Sequence, residues 1–179
     1  MLSIKYIGEI KMNIIYRKVQ EADAEQIVAF YNYVGGETNY LSFDKDEYPL
    51  NVEAQIQSIR ALENNQTNIM LLALDGEEIV GIATINSTYK MKSRHTGEFG
   101  IVIAKRYQGK GIGTELMKQL IEWARGNGIT KKISLITRAD NVIAVALYMK
   151  MGFKVEGCIK NQALINGTYY DAYMMGLFL

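Results

Sequence analysis

The sequence predicts an α/β domain built on one mixed sheet, and three observations carry that prediction. Strand-length apolar runs alternate with helix-length amphipathic runs along the second half of the chain. One such strand, beginning at Glu98, runs into a glycine-studded turn that opens a helix by Gly113. Asn166-Gly167 separates two strand-like segments near the end, as a tight hairpin turn does.

The elements follow in order. Asn13 to Val19 reads as a first strand, and Asp23 as the cap of a first helix with Gln26 in the reciprocal position. Ile27, Phe30, Tyr31 and Val34 recur at helical spacing until Gly35-Gly36 ends that helix. A polar and aromatic loop, 37–50, precedes a second helix marked by Val52, Ile56, Ile59 and Leu62 and closed by Asn64-Asn65-Gln66. Asn68 to Leu74 and Ile79 to Ile85 flank the turn Asp75-Gly76 as a hairpin, and a long strand follows over Gly97 to Ile103. Ile112, Leu116, Leu120 and Ala124 form one face of the next helix, which Gly126-Asn127-Gly128 stops before the alternating Ile133, Leu135 and Thr137. Asn141 suits the N-cap of a further helix, and Gly152 sits where its left-handed C-terminal cap belongs. Phe153 to Glu156 begins a strand, and Ala163 to Ile165 pairs through Asn166-Gly167 with the Tyr169 to Phe178 run.

Composition narrows the function classes. The 179 residues fit one domain, 1–179, and 49% hydrophobic residues are ordinary for a folded chain. A net charge of +1 gives no electrostatic case for nucleic acid or membrane partners. One cysteine, Cys158, excludes an intrachain disulfide, and one cysteine with one histidine, His95, does not make a usual structural zinc site, so no metal is expected. Lys5 and Glu9 interrupt the N-terminal residues, which read as neither signal peptide nor membrane span; residues 1–12 are expected to be a non-essential extension and the protein to be cytoplasmic.

The turn that ends the Glu98 strand suits a phosphorylated ligand. Glycines at 109, 111 and 113 remove β-carbons that would hold backbone N–H groups away from an anion, and the helix adds its positive end. No Gly-x-x-x-x-Gly-Lys-Ser/Thr loop is present. A dinucleotide fingerprint counted from Gly109 fails at Thr114, and Ile133, Ser134 and Leu135 offer no acid for a ribose.

What remains, Gln108-x-x-Gly111-x-Gly113, resembles the acetyl-CoA pyrophosphate loop of the GCN5-related N-acetyltransferases, the GNAT superfamily. Downstream, Asn141-x-x-Ala144-x-x-Leu147-Tyr148-x-x-x-Gly152-Phe153 is similar to a second segment of that family. The ending from Asn166 to Met175 resembles its ribosomal-protein alanine, polyamine and phosphinothricin-type members. The resemblance implies a GNAT-like fold: a mixed, mostly antiparallel central sheet flanked by helices, with splayed strands at the cofactor site. It implies acetyl-CoA as cosubstrate, an amine acceptor and, as in related folds, a homodimer.

It also implies roles. Backbone amides from Gln108 through Gly109, Lys110, Gly111, Ile112 and Gly113, with Thr114, are expected to hold the diphosphate, Lys110 adding charge attraction. Ile101, Val102 and Ile103 are expected to pair with the pantetheine arm as an added strand would. Asn141 and Ala144 complete the cofactor set with Tyr148, the family's candidate acid for the departing thiolate. An alkyl ammonium has a pKa of about 10, so amide formation needs a proton acceptor; Glu98, at the start of the strand, is the candidate base. Tyr31, Tyr33, Glu37, Tyr40 and Asp44 are candidates to line an acceptor cleft for a cation. A non-catalytic acyl-CoA-binding regulatory module and a nucleotide-binding protein are the alternative readings.

Overall fold

The computed structural model describes residues 13–179, and the expected N-terminal extension, 1–12, lies outside them. The described residues form β1 (Ile14–Lys18), α1 (Ala24–Gly35), α2 (Val52–Arg60), β2 (Ile69–Asp75), β3 (Glu78–Ser87), β4 (Thr96–Ile103), α3 (Ile112–Gly126), β5 (Lys132–Arg138), α4 (Val142–Lys150), β6 (Lys154–Ile165) and β7 (Thr168–Phe178), with single 3-10 turns at Glu21–Asp23 and Lys105–Tyr107. One seven-stranded sheet runs in the order β1-β2-β3-β4-β5-β7-β6. All neighbours are antiparallel except β4 and β5, which the α3 crossover makes parallel.

The core lies on both faces of the central strands. Ile79, Val80, Ile82 and Ala83 of β3 are all buried, so helices must cover both sides. A β-carbon at Gly81 would meet the side chains of Ile103 and Leu116, which puts α3 on the face carrying Gly81 and Ile103. α1 also packs on β3. The amphipathic spacing read in α3 is kept: Ile112, Leu116, Leu120 and Ala124 are buried, with Met117 and Ile121 widening the stripe.

Turn chemistry follows the sequence. Asn166 and Gly167 both have positive φ, 48° and 78°, as the β6–β7 hairpin requires. Gly152 closes α4 at φ 95°. The strand begun at Phe153 and the segment at Ala163 are one strand, β6, broken in register between Ile159 and Ala163, where Asn161 turns to φ 54°.

The start of α1 differs from expectation. Asp23 makes no side-chain cap to α1; its carboxylate accepts both Arg17 guanidinium nitrogens at 2.7 Å and the Gln20 N–H at 2.7 Å. A bidentate arginine outcompetes two helix N–H groups for the same oxygens. Gln26 faces the β2–β3 turn instead, donating to the Glu77 carbonyl at 3.0 Å and accepting from the Ile79 N–H at 3.3 Å.

Candidate active site

The site begins with a defect in the sheet. β4 and β5 pair through only three positions, Thr96 with Lys132, Gly97 with Ile133 and Glu98 with Ser134. Beyond that row β4 continues through Ile103 and β5 through Arg138 unpaired with each other, while each keeps its outer neighbour. The two strands part like a wedge; the Ala104 N–H bonds the Val80 carbonyl, so Val102 turns its main-chain groups to β3, and the groups that face the wedge beyond the paired row are those of Ile101 and Ile103.

Alternation distributes the side chains around that wedge. Phe99, Ile101 and Ile103 share one face, and Glu98, Gly100 and Val102 the other. Phe99 meets Tyr148 edge-on with ring centroids 6.1 Å apart, and Phe153 closes the trio at 6.3 Å from Phe99 and 6.0 Å from Tyr148. α4 therefore sits on the Phe99 face, and Glu98 projects from the opposite face at the last paired row. Tyr148 is buried, and burial pushes its phenol up to about 12. Glu98 is exposed.

At the far end of β4 lies the glycine turn. The 3-10 turn Lys105–Tyr107 is anchored by Tyr107, whose hydroxyl donates to Asp75 at 2.9 Å and whose ring carries Arg106 at 5.0 Å and Lys110 at 5.1 Å. Arg106 also pairs with Glu78. Gly109 and Gly111 have φ of 74° and 84°, and β-carbons there would project into open space. Gly111 is the N-cap of α3 with no side-chain cap, and the Glu115 N–H is the one that reaches back to the Gly111 carbonyl, at 3.1 Å. The N–H groups of the first turn thus face outward at the positive end of a fifteen-residue helix. Ile112 is buried, so it offers only its backbone, and Thr114 is half-buried.

Gly113 joins this mouth to both other parts of the site. A β-carbon there would stand 3.6 Å from the Ile101 and Leu147 side chains and 3.8 Å from Ile103. β4, α3 and α4 hence converge on one glycine. Asn141 caps α4 as its residue type predicts, its Oδ1 accepting the Ala144 N–H at 3.3 Å. Gln108 folds back, donating from Nε2 to the Ile103 carbonyl at 3.0 Å. Ile103 therefore has its carbonyl engaged within the chain.

The loop 37–50 is organised by contacts that the sequence did not announce. Tyr31 stacks on Tyr48 at 4.5 Å with Phe43 edge-on to both, and burial pushes the Tyr31 phenol up. Glu37 accepts the Lys105 N–H at 2.9 Å. Arg138, at the splayed end of β5, lies between the Tyr40 ring at 4.7 Å and the Tyr170 ring at 3.9 Å; it holds Asp140 through two nitrogens at 2.9 and 2.6 Å and the Asn39 carbonyl at 3.0 Å. The loop is tied to the ends of both parted strands. Tyr31 is committed to the aromatic cluster, whereas Glu37, Tyr40 and Asp44 line one open pocket with Gly36, Thr38 and Lys45.

Comparison with known proteins fits this geometry. The acetyltransferase (GNAT) family profile matches residues 27–153. An L-amino acid N-acetyltransferase, AaaT, of Escherichia coli (strain K12) is 35% identical over 106 residues, 59% of this chain and 65% of that protein. A spermidine N(1)-acetyltransferase of the same strain is 34% identical over 106 residues, 58% of this chain and 54% of that protein. The chain thus spans less than two thirds of the length of these curated relatives. A GNAT-family acetyltransferase structure from Streptococcus pneumoniae superimposes with a TM-score of 0.91 at 35% identity, covering 93% of this chain and all of that one. With a matching profile over most of the chain and a wedge, glycine mouth and α4 in one arrangement, the protein belongs to the acetyltransferase (GNAT) family.

Proposed function

We propose that the protein transfers an acetyl group from acetyl-CoA to a primary amine by direct attack. The observation that carries this reading is the wedge between β4 and β5, which has outward-facing helix amides at one end and places a buried phenol and an exposed carboxylate on opposite faces at the other. The residues fit the cosubstrate: positive-φ glycines with nothing beside them leave room for a diphosphate, and the wedge-facing main-chain groups of Ile101 and the Ile103 N–H suit an extended amide-bearing arm, with Val102 between them turned to β3. Acetyl-CoA supplies a thioester.

The chain's own residues do the rest. Amides from Gln108 to Gly113, with Lys110 and Thr114 beside them, orient the diphosphate; Asn141 and Ala144 hold the start of α4 against the arm. Glu98, directly or through a water, takes the proton from the ammonium, so that neutral nitrogen attacks the acetyl carbon. As the new C–N bond forms and the C–S bond breaks, Tyr148 gives its phenolic proton to sulfur; the second proton, shed by nitrogen as it becomes an amide, passes to solvent, and solvent returns one to the phenolate. A phenol held up near 12 remains protonated at neutral pH and is available to donate.

The relatives named above act on an amino acid and on a polyamine, which supports an amine acceptor without choosing between them. We extend the proposal to a single-domain cytoplasmic protein. None of the described helices is long and apolar enough to cross a membrane. Exposed Ile136, Met174 and Phe178 on one face of β5 and β7 support a homodimer. A thiol-release screen with acetyl-CoA against amino acids, polyamines, aminoglycosides and short peptides tests the reading. Release with at least one amine is expected. Thermal protection by CoA with no release from any acceptor would point to a binding module, and protection by NAD or ATP but not CoA to a nucleotide-binding protein.

A further inference from the structure

The last paired row of the wedge extends across three strands. Asn86 of β3 lies opposite Glu98 of β4, and Glu98 opposite Ser134 of β5. Residues directly across paired strands point to the same face with neighbouring β-carbons about 5 Å apart. Asn86, Glu98 and Ser134 therefore stand side by side on the face opposite Tyr148, at the line where the strands part. Asn86 and Glu98 are exposed and Ser134 half-buried. No hydrogen bond or ion pair within the described residues engages any of the three side chains. The next row along β4 is Gly100, opposite Thr84, where a β-carbon would come within 3.2 Å of the threonine hydroxyl; the missing side chain leaves the floor beyond Glu98 open.

Three side chains in a row each present an oxygen, and a primary ammonium presents three N–H donors. We propose that Asn86 Oδ1, a Glu98 carboxylate oxygen and Ser134 Oγ together form the cradle for the acceptor amine, with Asn86 and Ser134 as specificity-determining residues beside the base. The inference rests on the acetyl-transfer reading and adds to it the side chains, Asn86 and Ser134, that select a primary over a secondary amine. The ammonium is held by all three oxygens and Glu98 removes one proton; rotation about the bond from nitrogen to its carbon then swings the freed lone pair from Glu98 to the acetyl carbon, while Asn86 or Ser134 retains an N–H bond and keeps the nitrogen at the wedge. A secondary amine leaves one of the three unmatched.

The test compares steady-state constants for wild type, Asn86→Ala and Ser134→Ala, using whichever amine the thiol-release screen identifies and its N-methyl derivative. Each alanine variant is expected to raise the amine KM at least tenfold while the acetyl-CoA KM stays within twofold. Wild type is expected to prefer the primary amine at least tenfold in kcat/KM, and the variants to lose most of that preference. If the alanine variants do not fold, Ser134→Cys is expected to raise the amine KM, and Asn86→Asp and Ser134→Thr to keep it within threefold, since each retains an oxygen in place. Unchanged amine KM in the folded variants, or equal rises for both substrates, overturns the cradle while leaving acetyl transfer standing. A wild-type protein that releases no thiol with any amine overturns the underlying reading and this inference with it.

Discussion

The two ends of the wedge are built in opposite ways. At the cofactor end, the decisive atoms are backbone amides exposed because side chains are missing, and the geometry is local: Gly109 and Gly111 adopt left-handed φ and Gly111 caps α3 within a few residues of one another. At the acceptor end, the decisive atoms are side chains assembled over long separations, such as Arg138 reaching Asn39 across 99 residues and Asn86, Glu98 and Ser134 meeting through sheet register. The first end depends on what a glycine permits. The second depends on which strands become neighbours, so the two ends should fail differently under mutation.

The largest effect is expected where they meet. Tyr148→Phe keeps the aromatic trio with Phe99 and Phe153 but removes the proton; kcat for thiol release should fall about 100-fold, with CoA affinity within twofold. Gly111→Val should strike the cofactor end alone. At φ 84° a β-branched residue is strained, and its side chain would occupy the space in front of the amides, so CoA binding measured by titration calorimetry should weaken at least tenfold. Arg138→Leu should strike the acceptor end. It removes two ring contacts and the tie to Asn39, and should cost about 2 kcal/mol in denaturant unfolding while speeding limited proteolysis in the 37–48 loop.

Acidity offers a subtler contrast. Because burial raises the Tyr148 pKa above its unfolded value near 10, the folded state binds that proton more tightly; the associated stability is complete below pH 10 and is lost as pH climbs towards 12. Thiol release should therefore rise with pH as the amine deprotonates and show no descending limb with a midpoint near 10, where a phenol of ordinary pKa would give one. The smallest effect belongs outside the wedge: Gly126→Ala, at the helical end of α3 with open space around its β-position, should stabilise by about 0.5 kcal/mol without changing either KM.

The same contrast explains what was legible in the sequence. The glycine mouth, the Asn141 cap, the Gly152 terminator and the hairpin at Asn166-Gly167 are fixed by φ preferences and short-range hydrogen bonds, and residue type alone announces them. The stripe of α3 was readable from spacing for the same local reason. Asp23 misled because its partner, Arg17, lies on the preceding strand and offers a better bond than the helix it precedes. The ties of Glu37 to Lys105 and of Tyr40 to Arg138 were not legible, because those contacts exist only once β4 and β5 have parted. Asn86 and Ser134 carry no motif; only the strand register puts them beside Glu98.

The most direct test of the central claim is an amide chemical-shift titration of the protein with CoA. The account predicts that the largest shifts fall on Gly109, Gly111, Gly113 and Thr114 at the α3 mouth and on the wedge-facing amides of Ile101 and Ile103, while residues of β1 and α2 stay unchanged. Saturable binding with those amides unmoved and the shifts gathered elsewhere would contradict it.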